Sequence, residues 1–246
     1  MTKPFPPPET TLLTGASLLI VDDSAACRMM SAAMARALGA EAETAETAIQ
    51  ALAKSQAESF DLIILDVGLA DSDGRVLTRT LRETPNGAGA AILCVSGLGG
   101  DQRRQSALNA GADEFVEKPF DGLPGFAAIA IQTLNQRAAP ACAITYGGAA
   151  PAISTPDLSS SVAAHAAEDL KRGESRLHKA VANGDVGAVR RAAHFLSGVA
   201  GLIGAGELES AANAVQGAKG DAGGLRAVET MLTLAFEARH QLGASI

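Results

Sequence analysis

The feature that most restricts the fold of this chain is a series of short apolar runs that each stop on a polar side chain. SLLIV stops at Asp22 and Asp23, FDLIIL at Asp66, AAILCV at Ser96, and EFVE at Lys118, which is followed by Pro119 and Phe120. The runs cover Ser17–Val21, Leu62–Leu65, Ala91–Val95 and Glu114–Val116, and segments of helical pattern lie between and after them: Ala25–Leu38, Thr47–Ala57, Val76–Arg82, Gln102–Ala110 and Pro124–Arg137. Strands alternating with helices imply parallel β-α-β units with right-handed crossovers. A fifth strand, Ala40–Thr44, is needed to complete the alternation, and its polar text AEAET places it at an edge. In an open parallel sheet the carboxyl ends of the strands form the ligand crevice, so these polar residues are expected to converge there.

Charge and composition say what such a crevice can hold. The chain carries 27 acidic and 20 basic side chains, a net charge of -7, which argues against bulk electrostatic binding of nucleic acid. The surplus is uneven: residues 1–138 have 17 acidic against 11 basic residues, whereas residues 157–246 have 10 against 9. A cation site is therefore sought in the first part. Three carboxylates gathered at strand ends repel one another unless a cation joins them, and an oxygen-only set with open positions suits Mg²⁺. A lysine and a hydroxyl complete a phosphoryl site, the ammonium balancing phosphate charge and the hydroxyl donating to an oxygen. Asp66 is then the nucleophile of phosphoryl transfer to a carboxylate. An acidic pair after one strand reads by itself as a helix N-cap; the ordered set on successive strand ends does not.

The texts LLIVDDS, FDLIILDVGLADSDG, CVSG and AGADEFVEKPF resemble the receiver domain of two-component response regulators. That resemblance implies a flavodoxin-like, doubly wound α/β domain with five parallel strands in the order 2-1-3-4-5. It also implies Asp66 as phosphoacceptor, with Asp23, Asp66 and the Gly68 carbonyl binding Mg²⁺ directly and Asp22 acting through water. Ser96 becomes the switch hydroxyl, Lys118 the phosphate-binding lysine and Phe115 the switch aromatic, and Lys118-Pro119 is expected to be cis. Ala70 stands where the family usually has proline, and Gly68 leaves the acceptor pocket without a side chain beside the phosphate.

The remainder divides by composition. Residues 1–15 begin MTKPFPPPETT and read as a mobile leader without a signal-type apolar core, residues 16–137 as the α/β domain, and residues 138–157 as an Ala/Gly/Pro-rich linker. Residues 158–246 have only helical patterns, over Val162–Lys171, Ser175–Val181, Val186–Ile203, Glu207–Ala218 and Leu225–Leu242, which describes an all-α helical bundle. No run is long enough to span a membrane, and Cys27, Cys94 and Cys142 lack metal-ligand spacing, so a reduced, cytoplasmic setting is expected.

One stretch of the bundle stands out: RRAAHFLSGVAGLIG, residues 190–204, has three glycines near one histidine. On a helical wheel Val189, Ala192, Ala193, Leu196, Val199, Ala200 and Ile203 gather on a core face. His194 lies nearly opposite with Arg190, Ser197, Gly198 and Gly201, so it is expected to point to solvent on a surface cleared for an approaching protein. Neutral imidazole is a competent phosphoryl nucleophile near pH 7. His165, His178 and His240 lack such a face and are expected to be inert.

Residues 158–242 resemble histidine phosphotransfer (HPt) domains, on A-A-His194-F-L-S-Gly198 followed by L-I-Gly204-A and Leu208. The family favours lysine three residues after the histidine; here Ser197 stands there, with Arg190 one turn earlier as a partial substitute. The two resemblances imply a phosphorelay protein. Asp66 would accept phosphate from the phosphohistidine of an upstream sensor kinase, and His194 would exchange phosphate with its own or a downstream partner's receiver. The alternative is a receiver-controlled interaction or dimerisation module in which His194 stays unphosphorylated. No glycine-rich ATP site is present, so the chain is read as a self-phosphorylating phosphotransfer protein and not a complete kinase. Neither nucleic acid nor membrane is expected as a partner.

Overall fold

The apolar runs form a sheet whose two faces are both covered. The computed structural model describes residues 12–97, 99–137, 159–218 and 222–244. Its strands are β1 (Ser17–Val21), β2 (Glu41–Ala45), β3 (Leu62–Asp66), β4 (Ala91–Ser96) and β5 (Glu114–Glu117), all parallel, in the order β2-β1-β3-β4-β5. Helices α1 (Ala25–Ala37), α2 (Ala48–Ala57), α3 (Gly74–Arg82), α4 (Pro85–Gly89), α5 (Asp101–Asn109) and α6 (Gly122–Arg137) complete this unit. The polar strand β2 is at the edge, as its composition requires.

Alternation along the strands separates two cores. Leu18, Ile20, Leu62, Ile64, Leu93 and Val95 face α1 and α6, packing with Leu38, Phe126 and Ile131. Leu19, Val21, Ile63, Leu65, Ile92 and Cys94 face the opposite side with Ala51, Leu77, Leu81 and Ala107. Residues 12–15, expected in the leader, instead form a turn. Leu13 is buried within the first core, and its N–H donates to the Leu38 carbonyl at 2.8 Å. The rest of the leader and the linker 138–157 lie outside the described residues. The short α4 was not expected from the sequence: proline at its first position and Thr84, whose hydroxyl accepts from the Gly87 N–H, start it.

The second unit contains α7 (Ser159–Ala182), α8 (Val186–Ile203), α9 (Gly206–Gly217) and α10 (Ala222–Ala244). The sequence suggested two helices in place of α7, divided near Gly173. The helix runs through because Gly173 is where α8 crosses it: a Cβ there would lie 2.4 Å from Leu196 Cδ2. Asp185 caps the start of α8, and Gly204, at φ 71°, ends it in the left-handed conformation that favours glycine. One of the three glycines near His194 is thus a helix terminator.

The bundle core of Leu170, Leu177, Leu196, Val199, Leu208 and Met231 extends into the first unit through Ala26 of α1, with Met29 and Met30 packed at its edge. Helix α1 therefore lies between the sheet and the bundle. Leu196 is fully buried where α8 meets α7. Leu196→Ala should destabilise the bundle by about 2–5 kcal/mol, measured by denaturant unfolding of the intact chain.

Candidate functional site

Parallel topology brings the polar strand ends together as expected. Asp22 and Asp23 follow β1, Asp66 ends β3, Ser96 ends β4 and Lys118 follows β5; all three carboxylates and Ser96 are buried. Lys118 Nζ lies 2.5 Å from Asp22 Oδ2 and 3.4 Å from Asp66 Oδ1. Asp22 Oδ1 accepts from the Ser24 N–H at 2.9 Å. One carboxylate oxygen from each of Asp22, Asp23 and Asp66 lies within 4.8 Å of the others. Asp66 Oδ1 is buried and accepts no hydrogen bond. Three converging hard oxygen donors, beside an Asp66 oxygen that accepts no hydrogen bond, fit a divalent cation such as Mg²⁺. The Lys118-Pro119 peptide is cis.

Burial works against so much charge, and the neighbours decide which acids keep it. Burial, reinforced by Asp66, pushes the Asp22 carboxyl up against the pull of Lys118. Burial, together with Asp22 and Asp66, pushes Asp23 up to about 7 despite Arg176. Burial would raise Asp66 too, but the Lys118 ammonium and the nearby His194 outweigh it and hold Asp66 well below the usual carboxylate range. Asp66 is therefore ionised, the state in which a carboxylate can act as a nucleophile. Lys118 stays charged because Asp22 and Asp66 outweigh its burial. The Cys27 thiol beside the pocket is pushed up to about 12 by burial and by Asp22, which favours the neutral thiol over the thiolate.

His194 departs from its expected place. It does not point to solvent: it is 8% exposed, and its Nε2 lies 3.7 Å from Asp66 Oδ1. The helical wheel correctly put His194 opposite the bundle core, but that face is covered by the first unit of the same chain. Gly68 makes room for it, since a Cβ on Gly68 would fall 1.7 Å from His194 Cδ2 and 2.0 Å from Nε2. The next strand end meets the next turn of α8: a Cβ on Gly97, after β4, would lie 3.3 Å from Ser197 Oγ and 3.4 Å from Gly198 N. One turn further, a Cβ on Gly201 would lie 3.5 Å from Pro119 Cδ, after β5. Cys27 Sγ reaches the Gly198 carbonyl at 3.8 Å.

Helix α7 supplies a second set of contacts that sequence reasoning missed. Buried Asp169 accepts at Oδ2 from Ser24 Oγ at 2.8 Å and from the Ala26 N–H at 3.0 Å, adding a carboxylate from the bundle to the start of α1. Arg176 Nη1 lies 2.7 Å from Asp23 Oδ2. Arg172 donates to the Asp23 carbonyl, pairs with Asp169 at 2.7 Å and reaches Glu46 at 2.9 Å. Both guanidinium groups lie over the Phe195 ring, 5.1 and 4.6 Å from its centroid. Residues 169, 172 and 176 form a stripe at helical spacing, a readable signal that resembles an ordinary solvated charged face.

The other expected site residues take less direct places. Phe115 is buried in β5, and Arg190 is exposed, donating to the Ala218 carbonyl at 3.0 Å. Ser197 is buried with its hydroxyl 3.1 Å from Asn213 Oδ1, so it faces Gly97 and not open solvent. An open cleft of about 620 Å³ beside His194 is bordered by Ala70, Arg75, Arg103, Arg190 and Arg191. His165, His178 and His240 are exposed, His165 meeting the Ser161 carbonyl and His240 the Phe236 ring.

Comparison with known proteins accounts for both units. The response regulator receiver domain family matches residues 18–129 and the Hpt domain family residues 160–243. The chain is a receiver domain followed by an Hpt domain. A gliding motility regulatory protein of Myxococcus xanthus is 36% identical over 91 residues, covering 37% of this chain and 12% of that protein. The KDP operon transcriptional regulatory protein KdpE of Escherichia coli is 37% identical over 76 residues, covering 31% and 32%. The chain thus spans about a third or less of the length of these relatives. Among solved structures, the chemotaxis response regulator CheY4 of Vibrio cholerae is 30% identical, with a TM-score of 0.46, covering 49% of this chain and 99% of that one. No helix among the described residues is long and apolar enough to cross a membrane.

The fit of His194 into the space above Gly68 is open to test. Carbethoxylation of His194 should be slow compared with exposed His165 and His178. Gly68→Ala keeps a backbone conformation open to alanine but fills the imidazole's place, so it should raise His194 labelling to the rate of the exposed histidines, read by peptide mass spectrometry.

Proposed function

We propose that this chain is a phosphorelay protein in which Asp66 and His194 exchange a phosphoryl group within one molecule. The observation that carries this reading is the 3.7 Å approach of His194 Nε2 to Asp66 Oδ1. Two-component receiver and Hpt domains are the carriers of such a relay, and here the acceptor carboxylate and the imidazole already face each other.

Phosphate enters when an Asp66 carboxylate oxygen attacks the phosphorus of a phosphohistidine on an upstream sensor kinase; the P–N bond of the donor breaks and a P–O bond to Asp66 forms. His194 Nε2 then attacks the same phosphorus from the opposite side, the P–O bond breaks, and Asp66 recovers its carboxylate. A downstream receiver aspartate takes the group from His194 by the reverse chemistry. Both carriers hold activated phosphate, so the step runs in either direction. Lys118 balances the charge on the phosphoryl oxygens and Ser96 donates to one of them. Asp23, Asp66 and the Gly68 carbonyl would hold Mg²⁺, with Asp22 acting through water, and the ion when bound would neutralise phosphoryl charge. The chain's own contribution is mostly positioning, which is worth much of the barrier when reacting atoms are held near attack distance.

Seated over Asp66, the Hpt domain also closes the acceptor to an outside kinase. Phosphate entry from another protein therefore requires the bundle to lift, and transfer requires it to return.

Labelling with a competent phosphodonor in Mg²⁺ tests the relay. Asp66→Ala should lose label at both sites, and His194→Ala should keep only alkali-labile acyl phosphate. Wild type should show alkali-stable phosphohistidine whose formation from Asp66 is independent of protein concentration. Mixing the two variants at micromolar concentration should slow transfer by ~100-fold or more, because a tethered partner acts at an effective millimolar concentration. Transfer between the variants as fast as within wild type would remove the intramolecular route. Absence of phosphohistidine would leave docking of the Hpt domain as a regulated interaction only.

A further inference from the structure

The acids of the receiver pocket are neutralised from two directions. Lys118 comes from the receiver itself, 2.5 Å from Asp22 and 3.4 Å from Asp66. The second cation comes from the Hpt domain: Arg176 Nη1 lies 2.7 Å from Asp23 Oδ2, and Asp23 is 2% exposed. Asp23 is one of the three carboxylates whose oxygens converge within 4.8 Å. A guanidinium bound to a carboxylate withdraws negative charge that a divalent cation needs from the same group, and in a buried setting the two positive charges repel strongly.

We infer that Arg176 is an internal counter-cation of the receiver pocket, so that docking of the Hpt domain and binding of a divalent cation oppose each other in the unphosphorylated chain. The contact is tied to the catalytic arrangement. Arg176 and Arg172 both lie against Phe195, the residue after His194, and Arg172 also holds Asp23 by its carbonyl. Loss of the Arg176–Asp23 pair therefore loosens the element that carries the imidazole. A phosphoryl group on Asp66 has more negative charge than the carboxylate it replaces, so the opposition belongs to the unphosphorylated pocket. By linkage, whatever affinity Arg176 removes from the cation, the cation removes from docking. The Hpt domain thus reports on the occupancy of the pocket as well as on its phosphate.

The inference rests on the acidic pocket being a Mg²⁺ site, and its test uses the full chain and Mg²⁺ without a phosphodonor. In isothermal titration Arg176→Ala should bind Mg²⁺ at least about fivefold more tightly than wild type. Arg239→Ala, which removes the same charge from the bundle at Glu174, should leave the affinity unchanged. Wild type provides a second reading that needs no variant. Mg²⁺ should speed hydrogen exchange at the Ala26 amide, which the Hpt domain holds through Asp169. Equal or weaker Mg²⁺ affinity in Arg176→Ala, or an Ala26 amide that exchanges no faster with Mg²⁺, would overturn the coupling alone. An absence of Mg²⁺ binding in both chains would overturn the cation-site reading and the coupling with it.

Discussion

The arrangement depends on a near match between two repeats. Neighbouring strands in a sheet are about 4.8 Å apart and successive turns of an α-helix about 5.4 Å apart. Helix α8 uses that match: the loops after β3, β4 and β5, three neighbouring strands, each meet a successive turn of the helix, at His194, at Ser197 and Gly198, and at Gly201. Glycine stands on one side of each contact, Gly68 beneath His194, Gly97 opposite Gly198 and Gly201 against Pro119, but only at Gly68 would a Cβ collide outright with the facing side chain. The imidazole projects across the gap at the strand end that carries Asp66.

Close approach of backbones brings acids and bases into a space with little water, where unpaired charge is costly. The receiver alone has three carboxylates and one lysine in this space. Burial, reinforced by the neighbouring carboxylates of Asp22 and Asp66, pushes Asp23 up to about 7, even with a guanidinium beside it. The Hpt domain answers through α7 with a basic pair at Asp23 and a carboxylate at the start of α1. The interface is thus held by two unlike devices, geometric complementarity along α8 and charge complementarity along α7, joined where the arginines lie on Phe195.

Much of the receiver was legible because its signals are local. Apolar runs that end in acids mark parallel strands, and topology alone then brings Asp22, Asp23, Asp66, Ser96 and Lys118 to one crevice. The Hpt face was legible only in part. The periodicity of residues 189–203 correctly separated the bundle core from the side carrying His194, but periodicity describes one helix and cannot say what covers its second face. Solvent was the natural occupant of that face; the receiver occupies it. Asp169, Arg172 and Arg176 were hidden for a related reason, since a charged stripe reads the same whether it meets water or a buried carboxylate. Gly173 misled in the other direction. A glycine inside a helical pattern resembles a break until the crossing helix that needs its missing side chain is known.

The same contacts give a physical reason for Ser197. Hpt domains favour lysine at this position, where a long cation can meet the incoming phosphate. In this chain the position is 1% exposed, against Gly97 and beside Asn213, with the serine hydroxyl 3.1 Å from the amide oxygen. A lysine would have to bury a four-carbon stem where the two backbones almost touch, or force the helix away from β4 and carry His194 from Asp66 with it. A small hydroxyl fits without either cost. The positive charge that the family's lysine would bring is present nearby in another form, from Lys118 on the receiver and Arg176 on α7. The serine at this position suits the close packing of the two domains in this chain.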